Sequence, residues 1–179
     1  YMVEHGHRRP EAIADAARTP DLRVEFRDGA QRMFLDGEDV TERIRTPEAA
    51  ATASKVSAVG AVRERLVDLQ REIARGQSVV MDGRDIGTVV LPDATVKIYL
   101  TASCEVRAKR RFDELIQAGK EIAYEQVLDD IVQRDYNDAH RAVSPMRQAD
   151  DAVRVDTSEM TRDEVVADIV RRVRTAIEA

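Results

Sequence analysis

Residues 82–88, Asp82-Gly83-Arg84-Asp85-Ile86-Gly87-Thr88, place an arginine beside an aspartate between two glycines, directly after the apolar run Val79-Val80-Met81. A guanidinium fork matches phosphate oxygens, and a carboxylate accepts from amino or hydroxyl groups, so the pair suits a ligand carrying both a phosphate and a base. The plainer alternative is that Arg84 and Asp85 pair with each other or with neighbours and fix a turn. A second concentration is Arg134-Asp135-Tyr136-Asn137-Asp138-Ala139-His140-Arg141, followed by Ser144-Pro145. On a helix, Arg134, Asp138 and Arg141 stand at i, i+4 and i+7 and project from one face. Two guanidiniums and a carboxylate so placed fit a sugar phosphate, and in a chain with 35% charged residues they also fit a solvated, ion-paired face. The third is a basic run, Arg107, Lys109, Arg110 and Arg111, which is either a solvated helix face or part of a segment that closes over polyphosphate. Closing arginines would neutralise charge building on a transferring phosphoryl group.

Other features carry less. Gly119-Lys120 has Glu114 and Glu121 where the phosphate-binding loop G-x-x-x-x-G-K-S/T needs glycine and a hydroxyl, so that loop is absent from this stretch. His5 and His7 lie near the terminus and His140 stands alone, with no metal-ligand spacing. Cys104 has no nearby histidine and reads as a small residue at a helix start rather than a nucleophile.

Positioning these residues requires alternating elements. Residues 22–26 and 32–35 alternate apolar and polar around Asp28-Gly29, the form of a β-hairpin, and lie outside the later pattern as a small insert. Thr46-Pro47-Glu48 opens a helical tract to Gly76 with a bend at Gly60. Strands are expected at 78–81, 96–100 and 152–155, with helices over 104–118, 124–141 and 165–177, the last behind the capping box Thr161-Arg162-Asp163-Glu164. Strands separated by helices, without tight hairpins, imply right-handed crossovers and a parallel sheet covered on both faces. Ligands of such a sheet bind beyond the carboxyl ends of its strands, where the Arg84–Asp85 segment falls.

At 179 residues the chain suits one α/β domain with a small insert. A net charge of −6 argues against a general nucleic-acid surface, and a mean hydropathy of −0.43 without a long apolar run argues against a membrane function. One cysteine excludes an internal disulfide framework and fits a reducing cytoplasm.

Segments 82–93 and 96–102 together closely resemble the bacterial cytidylate kinases. So, in order, do Gly37-Glu38-Asp39-Val40 with Ile44-Arg45-Thr46, Ala53-Ser54-Lys55-Val56 with Val62-Arg63-Glu64, Arg134-Asp135 with Asp138 and 141–145, and Val155-Asp156-Thr157. The resemblance implies an α/β, P-loop nucleoside-monophosphate-kinase-like fold. Residues 1–179 would form one kinase domain, with a nucleoside-monophosphate insert near 21–45 and a helical lid near 107–124. It further implies ATP with Mg2+ as donor and CMP or dCMP as acceptor, in a cytoplasmic monomer. By the same resemblance, Ser54, Arg63 and Asp85 address the cytosine, Arg84 and Arg141 the acceptor phosphate, and Arg134 with Asp138 the ribose region, while Arg107, Arg110 and Arg111 begin the lid. Cytosine's amino donor and its N3 and O2 acceptors match a carboxylate with hydroxyl and guanidinium donors, and uracil reverses part of that pattern.

Two alternatives stand beside this: a related P-loop kinase for UMP or another small acceptor, and a non-catalytic nucleotide-binding module. In the family a strand, the P-loop and its helix precede the stretch that begins at Tyr1-Met2, so the sequence is expected to be N-terminally incomplete. Without that loop, triphosphate loses its backbone cradle. Residues 1–179 purified alone are accordingly expected to give no CDP from CMP and MgATP in a coupled assay, and robust turnover would overturn that expectation.

Overall fold

The computed structural model describes residues 9–57 and 59–178, and the chain divides into two compact units, one to Ser78 and one from Val79. His5, His7 and the Tyr1-Met2 start lie outside the described residues.

The first unit opens with α1 (Pro10–Ala16), whose proline stands at the start where a missing N–H costs nothing. The hairpin follows as β1 (Leu22–Arg27) and β2 (Ala30–Leu35), antiparallel in the register Leu22 to Leu35 and Arg27 to Ala30. Asp28 at φ 53° and Gly29 at φ 75° supply the left-handed backbone that a two-residue turn demands. A short β3 (Glu38–Asp39) adds to β2, and Thr41 locks the join by donating to Asp39 at 2.5 Å and accepting from the Met33 amide at 3.0 Å.

Where one bent helix was expected, two occur: α2 (Pro47–Val56) and α3 (Gly60–Gly76). The Thr46 side chain caps α2 from the Ala49 amide at 3.2 Å, as its sequence position predicts. Ile13 and Ala17 pack on Val62 of α3, with Val56 and Val59 beside them.

In the second unit, β4 (Ile98–Thr101) and β5 (Val153–Asp156) pair in parallel, Ile98 opposite Val153 and Thr101 opposite Asp156. Helices α4 (Cys104–Gln117) and α5 (Tyr124–His140) lie between them in sequence, and α6 (Arg162–Glu178) follows. The fold is mixed α/β with a small parallel sheet. Ser103 caps α4 from the Val106 amide, Gly119 at φ 72° ends it, and Thr161 and Glu164 form the reciprocal capping box of α6. Val90, Ala102, Ala108, Val127 and Val155 are buried.

The expected strand at 78–81 does not form, and Val80 is fully exposed. An apolar run supplies a preference for burial, whereas a strand also needs a neighbour for its backbone. Among the described residues the parallel sheet consists of β4 and β5.

Hydrogen bonds hold several carboxyls below their ordinary range: Asp151 by Lys97, Glu164 by the Thr161 amide and hydroxyl, Asp39 by Thr41. A depressed folded-state pKa stabilises above the unfolded value and is lost as pH falls through the folded one. Melting temperature is therefore expected to be level near neutrality and to fall below about pH 4, as followed by circular dichroism.

Candidate active site

In the second unit, residues 83–85 form the bend that feeds a π-helical turn, Ile86–Val90. The Asp85 carbonyl accepts from the Val89 amide at 2.9 Å, and the Leu91 amide donates to the Ile86 carbonyl at 2.7 Å. Such wide turns recur at functional sites. Gly83 cannot become larger without displacement, because a Cβ there would lie 2.9 Å from Cγ1 of Ile86.

This bend brings Arg84 and Asp85 to the end of α5. Arg84 Nε donates to Oδ2 of Asp138 at 2.8 Å, 54 residues away in sequence. Arg134 approaches the same oxygen at 4.0 Å, while Arg141 lies 3.9 Å from Oδ1 of Asp138 and 3.7 Å from Oδ1 of Asp85. The cluster thus holds three guanidiniums and two carboxylates, with the Asp85, Asp138 and Arg141 side chains only 7%, 13% and 12% exposed.

Arg141 reaches this place by a route the helical spacing does not describe. Helix α5 stops at His140, and Arg141 is already extended at φ −65°, ψ 145°. The chain then folds back: Arg141 Nε donates to the Ser144 carbonyl at 2.5 Å, Ser144 adopts φ 50°, and the Met146 amide donates to the Asp138 carbonyl at 2.8 Å. That last bond satisfies one of the carbonyls every helix leaves open at its end. His140 takes no part; its Nδ1 lies 2.8 Å from the Tyr136 carbonyl and its ring stacks on Tyr136.

Arg84, Asp85, Arg134, Asp138 and Arg141 therefore meet. Ser54 lies on α2 with its side chain outside the described residues. Arg63 lies on α3 of the first unit and donates to the Ser57 carbonyl at 3.5 Å.

The basic run on α4 separates into distinct environments. Arg107 donates to the Ala102 carbonyl at 3.0 Å, to Sγ of Cys104 at 3.1 Å and to Asp135 at 2.6 Å, and the bond to Asp135 holds its pKa above the usual value. Arg110 donates to the Thr157 carbonyl at 2.6 Å, the Thr157 hydroxyl at 3.2 Å and the Met160 carbonyl at 3.1 Å. Arg111 pairs with Glu114 on an exposed face. Asp135 and Thr157 are the partners that inspection of the sequence had not assigned. Their signal was weak because each lies far along the chain from the arginine it holds.

The family profile described as Cytidylate kinase matches residues 8–175. The chain belongs to the cytidylate kinase family. A cytidylate kinase of Caldicellulosiruptor bescii is 49% identical over 158 residues, covering 88% of this chain and 70% of that relative. One from Mycolicibacterium paratuberculosis is 52% identical over 166 residues, covering 90% of this chain and 73% of the relative, and one from Flavobacterium johnsoniae is 45% identical over 171, covering 93% and 74%. The Arg84–Asp138 cluster thus sits in a chain whose relation to cytidylate kinases extends over nearly its whole length.

The contrast within the basic run is measurable. Arg110→Ala should destabilise the protein by about 2 kcal/mol in urea unfolding, since it removes charge-assisted bonds to two carbonyls and a hydroxyl. Arg111→Ala should change stability by no more than about 0.5 kcal/mol.

Proposed function

We propose that this protein transfers the γ-phosphoryl group of ATP to CMP or dCMP, giving CDP or dCDP and ADP. The observation that supports this most is the meeting of Arg84, Arg134 and Arg141 around Asp85 and Asp138 in a cytidylate kinase family member. On this reading the architecture is that of a P-loop nucleoside-monophosphate kinase. Residues 21–45 form the acceptor-binding insert and residues 107–124 the lid, and the enzyme acts as a cytoplasmic monomer.

The chemistry follows from charge. An oxygen of the CMP phosphate attacks the γ-phosphorus in line, the bond to the β-bridging oxygen breaks, and ADP leaves with that electron pair. The attacking group is already an anionic oxygen, so no general base is needed. Arg84 and Arg141 would grip the acceptor phosphate, and Arg134 with Asp138 would serve the sugar end. These guanidiniums lessen repulsion between the two nucleotides and stabilise charge spread over the transferring group. Asp85 would accept from the cytosine amino group, with Ser54 and Arg63 donating to N3 and O2. Uracil would set a carbonyl against a nearly buried carboxylate and lose binding.

Arg107, Arg110 and Arg111 would begin the lid over the donor phosphates. Among the described residues no group of three or more histidine, cysteine or acidic side chains is placed to hold a metal ion. No described helix is long and apolar enough to cross a membrane.

Calorimetry of CMP, UMP and ATP on the intact protein tests the assignment. CMP should bind at least about tenfold more tightly than UMP, and Asp85→Ala should erase most of that preference while reducing overall turnover less. Equal binding of CMP and UMP by the wild type would point to a different acceptor, and nucleotide binding without phosphoryl transfer would point to a non-catalytic module.

A further inference from the structure

The π-helical turn Ile86–Val90 faces a side chain that no step of the chemistry above uses. A Cβ on Gly87 would lie 3.4 Å from Cδ and 3.7 Å from Cγ of Lys97, and 3.8 Å from Cβ of Ala149. The lysine's stem and the alanine's methyl thus close the space beside that glycine to the width of a single methyl group. Lys97 immediately precedes β4, and its side chain is 9% exposed, whereas Asp151, which accepts from its Nζ at 2.6 and 2.9 Å, is 66% exposed. The Lys97 carbonyl accepts from the Val153 amide at 3.0 Å, so the stem is fixed at both ends, by the strand pairing at its root and by the carboxylate at its head. A lysine serving charge alone keeps its ammonium in water; here stem and head are covered together, and only the acid they reach stands in solvent. A free-standing π-helical turn is rare, so its shape depends on what packs on it. Gly87 lies two residues beyond Asp85, inside the ring of bonds that joins the Asp85 carbonyl to the Val89 amide. Displacing Gly87 therefore re-aims Asp85, while Arg84 stands before the turn and is held separately by Asp138.

Resting on the acceptor-site reading above, we propose that Lys97 is a positioning residue for base recognition: its stem, pinned to Asp151, backs the π-helical turn at Gly87 and so fixes the direction in which Asp85 meets the acceptor's base. The stem carries the effect, and the ammonium anchors it. Without the stem the turn shifts into the vacated space, and discrimination between cytosine and uracil falls before the grip on phosphate does. Neutralising Asp151 leaves the ammonium a weaker partner; it turns to water and takes the stem with it. A methionine in place of Lys97 needs no anchor, because an unbranched apolar chain lies in the same space unaided.

The experiment measures kcat/KM for CMP and UMP, KM for ATP, and hydrogen exchange of the Val89 and Leu91 amides by NMR, all in the intact protein. Lys97→Ala is expected to lower the preference for CMP over UMP roughly tenfold, chiefly through KM for CMP, to leave KM for ATP within about twofold, and to speed exchange at both amides. Lys97→Met should stay within about threefold of wild type in every one of these readings. Asp151→Asn should lose preference in the wild-type background and lose nothing further once Lys97 is methionine. An alanine variant that keeps the full preference would overturn the proposal. So would a methionine variant as impaired as the alanine one, since charge and not the stem would then be what matters, and so would equal losses for CMP, UMP and ATP, the mark of a general structural defect. Should Lys97→Ala fail to fold, the two Asp151→Asn measurements decide alone, and a loss that Lys97→Met does not suppress sinks the proposal. A wild type with no preference for CMP over UMP sinks the acceptor reading instead, while the exchange rates still tell whether Lys97 holds the turn.

Discussion

Two nearly buried carboxylates, Asp85 and Asp138, are the groups around which the guanidinium cluster of the second unit is arranged. Arg141 is nearly buried with them, whereas Arg84 and Arg134 keep about half of their side-chain surface in solvent, so the charge most in need of a fixed partner is that of Arg141. The local backbone serves this need. The π-helical turn sets Asp85 at its start, the early end of α5 releases Arg141, and the fold-back through Ser144 and Met146 ties that release to Asp138. Removing Asp85 or Asp138 would leave the nearly buried Arg141 with one fewer offsetting charge, which is why the acids matter as much as the arginines.

Features governed by neighbours in sequence were legible. Asp28-Gly29 announced the hairpin, Thr46-Pro47 the start of α2, and Thr161 with Glu164 the start of α6, because each acts across three or four residues. The strand expected at 78–81 was not, since its apolar residues describe burial and not the partner that would hydrogen-bond their backbone. The helical spacing of Arg134, Asp138 and Arg141 grouped the right residues for an incomplete reason: Arg141 joins them from beyond the helix.

The basic run on α4 shows why composition blurs function. As sequence it is one patch, yet Arg107 faces α5, Arg110 the segment after β5, and Arg111 its own helix. Helical geometry turns successive residues by about 100°, so neighbours in a charge cluster look toward different partners. The resemblance of successive segments to one family supplied an expectation that local physics could not, namely that distant segments would serve one site.

Arg134 and Asp135 are adjacent on α5, yet the first leans along its own helix toward Asp138 and the second crosses to Arg107 on α4. A roll of α5 about its axis leaves the Arg134–Asp138 pair unstrained and loads the two bonds that leave the helix, Asp135 to Arg107 and Asp138 to Arg84. The helix behaves as a torsion bar anchored at Asp135 and Asp138, and stiffness gained at either anchor is transmitted to the other through less than one helical turn.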